Sequence, residues 1–193
     1  MNTSTTSSAD DGACWLFAYG SLMWRPDFAY LDALPARLSG YHRRLCLYSY
    51  VYRGTREVPG LVLGLDRGGS CWGLAFRVAA KDAGPVLEHV DRRELQYDVY
   101  HRRLLPIRLG MGEGGRRLFA HAYVVNRASP QYTGRLAPER MIELVRQGQG
   151  ERGRCLEYLR NTVAHLDALG LPDPNLAALL ETIEANVVQE HLE

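Results

Sequence analysis

An apolar strand runs into a glycine turn in the segment FAYGSLMWRP, residues 17–26. Gly20 ends the apolar run, because glycine weakens a strand and lets the backbone approach a ligand closely. Successive N–H groups in such a turn can bind a carboxylate or a polarised carbonyl oxygen. A tight turn with Ser21 as its cap explains the same residues, so the segment alone leaves both interpretations open.

β-Structure is predicted for most of the first two-thirds of the chain. Residues 45–49 alternate in a strand-like pattern, and residues 61–65 and 71–78 form two apolar runs. The sequence DRGGS between those runs, residues 66–70, predicts a hairpin turn. A second hairpin is predicted across residues 103–125, with a mobile glycine-rich loop at its tip.

One helix is predicted between these strands, and it ends near a carboxylate. Asp82 suits the N-cap position, and Pro85 suits the first turn, where its missing N–H costs little. Val86 and Val90 belong to a buried stripe, and Glu94 follows one turn after Val90. Glu94 is therefore expected on or near the side of the helix that faces the core.

Two interpretations of Glu94 follow from that position. It could act as a general base in a partly apolar pocket, with its pKa raised toward neutrality. It could also be a solvated carboxylate paired with Arg92 or Arg93, which is the commoner situation on a helix. The loop RGTREVPG, residues 53–60, also has two interpretations. Arg53 or Arg56 could bind a substrate carboxylate, or the segment could be an ordinary surface loop.

The last third of the chain is predicted to be helical. Residues 138–147 begin with proline and end before a glycine, residues 154–169 carry leucines at helical spacing, and a further helix follows Pro174. No internal repeat or interdomain linker is present. Separate strands with helices around them predict an α+β domain with a mixed sheet, either open or closed into a barrel.

Composition argues against several other classes of protein. The net charge is +1 and the arginines are scattered among acids, so no nucleic-acid partner is predicted. No apolar run is long enough to span a bilayer, so no membrane association is predicted either. The six histidines lack metal-site spacing and none accompanies a serine nucleophile, so neither a metal nor a cofactor is expected.

The termini and the cysteines complete the expected organisation. Residues 1–12 are rich in Ser, Thr and Asp and predict a disordered tail. The four cysteines are far apart and lie among mostly apolar neighbours, which is typical of reduced, packed thiols in a cytoplasmic protein. Nothing in the sequence predicts an oligomeric state.

Several motifs together resemble the ChaC-like γ-glutamylcyclotransferases. The run YGSLMW at residues 19–24, together with the downstream Arg-Glu, is specific to this family. The shorter YGSL is shared by a wider superfamily. The resemblance begins near Trp15 and continues through the C-terminal helices. Its other motifs are VPG at 58–60, WGLAF at 72–76, RRE at 92–94, QYTG at 131–134 and LEYL at 156–159.

The resemblance implies a small mixed β-barrel flanked by helices, with residues 13–193 forming a single domain of that type. It also implies that the protein breaks glutathione down to 5-oxoproline and cysteinylglycine, a lyase reaction. The catalytic glutamate of the family falls on Glu94. The residues expected to bind substrate are Tyr19, Gly20, Ser21, Leu22, Arg53, Pro59, Gly60 and Tyr100.

The physical chemistry of the substrate fits this implication. A γ-glutamyl group carries its own amine, which can close a five-membered ring on the γ-carbonyl once it has lost a proton. Glu94 could take that proton and pass one to the leaving amine, while turn N–H groups stabilise the oxyanion. Two alternatives stay open: the same chemistry on other γ-glutamyl amines or amino acids, and a non-catalytic regulatory binding protein. The sequence TyrArgGly at 52–54, where some family members carry His-x-Gly, could alter substrate preference.

Overall fold

Five strands close into a mixed β-barrel in the computed structural model, in the order β1-β3-β2-β4-β5. Most neighbours are antiparallel, but β1 pairs with β5 in parallel, at Leu16 and His121. The expected α+β fold with a mixed barrel is therefore confirmed. The strands are β1 Cys14–Ala18, β2 Asp32–Ser49, β3 Gly60–Val78, β4 Tyr100–Leu109 and β5 Arg117–Val125.

The structure describes residues 12–112 and 114–190, with side chains described as far as residue 185. Apart from Gly12, the predicted N-terminal tail lies outside this range. Part of the predicted loop at the tip of the second hairpin, Glu113, lies outside it as well. Among the described helices, none combines the length and the apolar character needed to cross a bilayer.

The hairpin turn predicted at residues 66–70 is wrong. The chain continues through this segment as one strand, β3, which pairs antiparallel with β2 from Gly60 to Arg77. Gly68 and Gly69 do have positive φ, at 102° and 66°, and they lie opposite a register shift in β2 beside Gly40. The glycines therefore form an irregularity that bends a long ribbon, because pairing with β2 resumes on both sides of them.

The predicted helices and the second hairpin are confirmed. β4 and β5 pair antiparallel, and the first helix begins directly after Asp82, although the Asp82 side chain makes no capping hydrogen bond. A two-residue hairpin, β6 Gln149–Gly150 with β7 Gly153–Arg154, connects the second helix to the third. The helices are α1 Ala83–Glu94, α2 Pro138–Gln147, α3 Cys155–Ala168 and α4 Pro174–Glu190.

β1 is buried on both faces and contributes to two apolar clusters. Leu16 and Ala18 belong to a cluster that includes side chains from all four helices. Trp15 and Phe17 point the other way, into a cluster whose fully buried members come mainly from the strands. Because apolar contacts hold both faces, the position where β1 ends is fixed against the rest of the barrel.

A buried carboxylate ties the β2–β3 ribbon to the segment after β5. Asp66 has a side chain that is 1% exposed, and it accepts hydrogen bonds from Arg127 Nε at 2.7 Å and Tyr132 Oη at 2.9 Å. It also accepts from the backbone N–H of Arg67 and lies 3.4 Å from Arg44 Nη1. Burial alone would raise the pKa of Asp66, but these hydrogen bonds outweigh it and lower the pKa.

Candidate active site

Two cavities meet at one end of the barrel. The larger has a volume of about 680 Å³, and the smaller about 40 Å³. Glu94, Ser21, Tyr100 and Tyr158 line both of them. The predicted turn and the predicted base therefore lie on the walls of one connected site.

Glu94 faces this site at the C-terminal end of α1, with a side chain that is 17% exposed. Burial raises the pKa of the Glu94 carboxyl above its ordinary value, while the charges of Arg93 and Arg152 partly oppose that rise. The interpretation as a solvated surface carboxylate is therefore wrong, although the pairing with Arg93 is real. A carboxylate in this environment is a stronger base than one in water.

Arg93 joins Glu94 to the turn. Its Nε lies 3.2 Å from Glu94 Oε1, and its Nη2 donates to Ser21 Oγ at 2.8 Å. Nη1 donates to the carbonyl of Arg25 at 2.8 Å. One guanidinium therefore fixes the distance between the carboxylate and the turn.

The turn itself is a short 3-10 segment, Ser21–Met23, that starts directly after Gly20. Met23 N–H donates to Gly20 O at 2.9 Å, which closes the turn, and Leu22 is buried beneath it. The first N–H groups of a helical turn have no partner within it, so they are available to a ligand. Gly20, Ser21 and Leu22 all line the smaller cavity.

A buried arginine orients the peptide that enters the turn. Arg43, whose side chain is 2% exposed, donates Nε to the carbonyl of Tyr19 and Nη2 to the carbonyl of Trp72 at 2.6 Å. Its Nη1 forms an ion pair with Asp173 at 2.9 Å. Because C=O and N–H point in opposite directions across a trans peptide, this contact turns the Gly20 N–H away from Arg43.

Tyrosines form the remaining wall of the smaller cavity. Tyr100 Oη donates to the carbonyl of Leu63 at 2.6 Å, and Tyr123 Oη donates to Asp91 at 2.7 Å. Burial raises the pKa of Tyr19 and Tyr100 well above the ordinary tyrosine value, and the charge of Glu94 adds to the effect in both. These phenols therefore stay neutral, and they surround Glu94 with apolar rings and hydroxyl groups.

Three arginines line the larger cavity near its mouth, each with its guanidinium over a tyrosine ring. Arg53 lies 4.9 Å from the centroid of Tyr158. The other two stacks pair Arg56 with Tyr50 at 5.6 Å, and Arg152 with Tyr52 at 4.1 Å. Arg53 and Arg56 were both candidates from the sequence, and both lie on the cavity wall.

Pro59 and Gly60 are placed differently from the other predicted substrate contacts, because neither lines the two cavities. Gly60 begins β3, and a Cβ atom there would lie 2.0 Å from the carbonyl oxygen of Arg53. Pro59 O accepts a hydrogen bond from Gln147 Nε2 at 3.0 Å. The VPG motif thus holds the arginine loop against the barrel, and its glycine is required by close backbone contact.

Sequence reasoning missed two arginines of the site. Arg93 was weighed only as an ion-pair partner of Glu94, although its position next to that residue was a usable signal. Arg152 lies between the predicted helices at residues 138–147 and 154–169, where the sequence analysis predicts no site residue. The structure brings it to the cavity because Glu151 and Arg152 donate their N–H groups to the carbonyls of Val51 and Tyr52, at 2.9 and 3.0 Å.

The described residues contain no group of three or more His, Cys, Asp or Glu side chains that could hold a metal ion. The four cysteines, Cys14, Cys46, Cys71 and Cys155, are free thiols. The polar side chains that line the two cavities carry carboxylate, guanidinium, hydroxyl, amide and imidazole groups. Such groups can bind a zwitterionic ligand and move a proton.

Comparison with known proteins points to one family. The human protein named "Glutathione-specific gamma-glutamylcyclotransferase 1" is 32% identical over 184 residues, which cover 92% of this chain and 81% of the human protein. The glutathione-specific gamma-glutamylcyclotransferase of Escherichia coli is 29% identical over 175 residues, which cover 91% of this chain and 74% of that protein.

The fold has a counterpart among solved structures. A crystal structure of a yeast γ-glutamyl cyclotransferase specific to glutathione superimposes with a TM-score of 0.82, at 20% sequence identity. The match covers 90% of this chain and 96% of the yeast chain. The model of the family described as ChaC-like protein matches residues 14–186. By this match and by its similarity to the human relative, the chain belongs to the ChaC-like family.

Proposed function

We propose that the protein is a glutathione-specific γ-glutamylcyclotransferase that converts glutathione to 5-oxoproline and cysteinylglycine. Membership of the ChaC-like family supports this reaction, as do the names of the human and bacterial relatives. The observation that carries the proposal is the position of Glu94. It is a partly buried carboxylate at the junction of two cavities, next to a turn with available N–H groups.

The reaction requires one proton acceptor close to the γ-glutamyl amine. Glu94 takes a proton from the α-ammonium group, and the free amine attacks the γ-carbonyl carbon. A C–N bond forms within the glutamyl unit, and the amide bond to cysteine breaks. Glu94 then returns that proton to the departing nitrogen. As the lactam forms, the ring nitrogen gives up its second proton to Glu94, which passes it to the released amine, so the same carboxylate serves as base and as acid.

The turn from Tyr19 to Leu22 binds the glutamyl unit in this proposal. The N–H groups of Gly20 and Ser21 stabilise the oxyanion that develops on the γ-carbonyl oxygen, and each such donor is worth roughly 3 kcal/mol in related chemistry. Tyr100 closes the opposite side of the smaller cavity. Holding the amine folded against the carbonyl supplies a further entropic advantage.

The remaining predicted binding residues act at the larger cavity. Arg53 contributes to its wall, and Pro59 and Gly60 act indirectly by holding the loop that carries Arg53. The proposal treats residues 13–193 as one domain with this activity. A reducing, cytoplasmic compartment suits it, because all four cysteines are free and glutathione is abundant where thiols stay reduced.

The experiment compares two substrates. Purified protein is incubated with glutathione and, separately, with γ-glutamyl-alanine, and 5-oxoproline is quantified. Turnover of glutathione with little turnover of the dipeptide is expected. Robust turnover of the dipeptide alone would contradict glutathione specificity, and binding of glutathione without any 5-oxoproline would favour a regulatory binding protein instead.

A further inference from the structure

The charge of the site is distributed unevenly between its two cavities. Five arginines and two glutamates line the larger cavity. Among the described residues that line the smaller cavity, Glu94 is a carboxylate and none is an arginine. A ligand can place its reacting end in the smaller cavity. Its other end then lies in the larger cavity, where positive charge is in excess.

The five arginines are not equally available. Arg93 is committed to Glu94, Ser21 and the carbonyl of Arg25. Arg53 donates Nη1 to the carbonyls of Arg152 and Arg154, so it builds the wall that joins two segments. Burial lowers the pKa of the Arg53 guanidinium from its ordinary value, although the group stays charged.

Arg152 differs because its backbone is held while its guanidinium is not. Its N–H donates to the carbonyl of Tyr52 at 3.0 Å, and its guanidinium carbon lies over the ring of the same residue, 4.1 Å from the centroid. Gln96 donates to the hydroxyl of Tyr52, which steadies that ring. Within the part of the chain that the structure describes, Arg152 and Arg56 take part in no ion pair.

A stacked guanidinium presents its N–H edge in a fixed plane. That geometry matches the two oxygens of a carboxylate, and the stacking face keeps the side chain from collapsing onto other groups. Glutathione carries a carboxylate at its glycine end, which leaves with the cysteinylglycine product. The larger cavity is the space available to that half of the substrate, because the smaller cavity has a volume of only about 40 Å³.

We infer that Arg152, assisted by Arg56, binds the C-terminal carboxylate of the departing peptide, an inference that rests on the proposed function. The site then selects γ-glutamyl peptides with a free C-terminal carboxylate over γ-glutamyl amines that lack one. Arg152 is in this sense a specificity-determining residue. Arg152 also lowers the pKa of Glu94 through its charge. That effect is the same for every substrate, so it cancels in the ratio of kcat/KM values for two substrates.

The experiment measures kcat/KM for two substrates, glutathione and glutathione whose glycine carboxyl is converted to an amide. Three proteins are compared: the wild type, Arg152→Met and the control Arg154→Met. Arg154 lies two residues further along the same hairpin, and its side chain lines a different surface groove. Methionine removes the charge in each variant and keeps an unbranched side chain of similar length.

The wild type and Arg154→Met should prefer glutathione over the amide by about 10- to 100-fold. In Arg152→Met, kcat/KM on glutathione should fall about 10- to 100-fold further than kcat/KM on the amide, so that the preference is lost. Any loss on the amide reflects the charge that Arg152 presents to Glu94. An equal loss on both substrates, or an unchanged preference, would overturn the inference while leaving the proposed function intact. Failure of the wild type to turn over either substrate would instead refute the proposed function, and the inference with it.

Discussion

Asp66 is a buried carboxylate and Glu94 a partly buried one, and the protein surrounds them in opposite ways. Asp66 is 1% exposed and accepts hydrogen bonds from two side chains and a backbone N–H. Glu94 is 17% exposed, and among the described residues its single ion pair is with Arg93. The pKa of Asp66 is lowered despite burial, whereas burial raises the pKa of Glu94.

The difference separates a carboxylate that supports the fold from one that is free to react. Hydrogen bonds to Asp66 stabilise its charged form and hold three segments together, so its proton affinity is low. Glu94 keeps an oxygen open to a cavity and has few donors, so its proton affinity is high. Asp66 is the more deeply buried of the two and still has the lowered pKa, so the number of hydrogen-bond donors decides the direction of the shift.

Glu94→Gln should have the largest effect on activity. Unlike the removal of a structural carboxylate, it should not lower the free energy of unfolding. Loss of the base should lower kcat/KM for 5-oxoproline formation by at least about 100-fold. The free energy of unfolding at neutral pH should stay the same or rise, because a desolvated charge is removed. Urea unfolding and a 5-oxoproline assay measure the two quantities.

Glu88→Gln is the matched control, since Glu88 is exposed on the same helix. It should leave both quantities unchanged. Activity of Glu94→Gln close to that of the wild type would contradict the role of Glu94 as base.

Asp66→Asn should produce the reverse pattern. The variant weakens hydrogen bonds from Arg127 and Tyr132 and leaves the arginines without their buried counter-charge. We expect a loss of about 2 kcal/mol in the free energy of unfolding, with kcat/KM of the folded protein within about threefold of wild type. Loss of activity without a fall in the free energy of unfolding would show that Asp66 acts in the candidate active site. The distinction between a structural Asp66 and a reactive Glu94 would then fail.

Arg93→Met should have an intermediate effect on Glu94. The charge of Arg93 lowers the pKa of Glu94, so its removal should raise that pKa further. Because the base must be deprotonated, the acid limb of the kcat/KM profile should move to higher pH, and kcat/KM at neutral pH should fall about tenfold. The exposed neighbour Arg92, changed to methionine, should leave the profile in place.

The smallest expected effect is a difference in how stability depends on pH. A lowered pKa in the folded state means that Asp66 contributes stability at neutral pH, which is lost as pH falls below about 4. A raised pKa means that Glu94 costs stability at neutral pH, and this cost disappears below about pH 4.

Unfolding free energies at pH 7 and at about pH 3 test both signs, because about pH 3 lies below the ordinary pKa of both carboxyl groups. The destabilisation in Asp66→Asn should shrink at the lower pH. Any stabilisation in Glu94→Gln should shrink there too. If the difference in unfolding free energy between either variant and the wild type grew at the lower pH, the assigned pKa shift would be contradicted.

Local patterns predicted the helices and the orientation of Glu94. Residues 138–147 have a proline start and a glycine stop, and the structure begins and ends α2 at those positions. Glu94 follows Val90 by one helical turn, and that spacing is enough to turn it inward. These features depend on neighbours in the chain, so a sequence carries them.

Pairing between distant segments could not be predicted in the same way. Gly68 and Gly69 have the composition of a turn, but β2 stays paired on both sides of them and makes the segment an irregularity within one strand. Asp66 lay in the predicted turn and is instead a buried anchor. Arg152 reaches the cavity through contacts with residues about 100 positions earlier.

The close backbone contact between the β6–β7 hairpin and residues 51–54 has a consequence for how substrate preference evolves in such proteins. The backbones are so close that a Cβ on Gly150 would lie 2.3 Å from the carbonyl oxygen of Val51. The base and the turn belong to stretches far earlier in the chain than the hairpin. With the role inferred above for Arg152, a lineage changes which peptides it accepts by replacing that residue, provided that Gly150 is inherited unchanged.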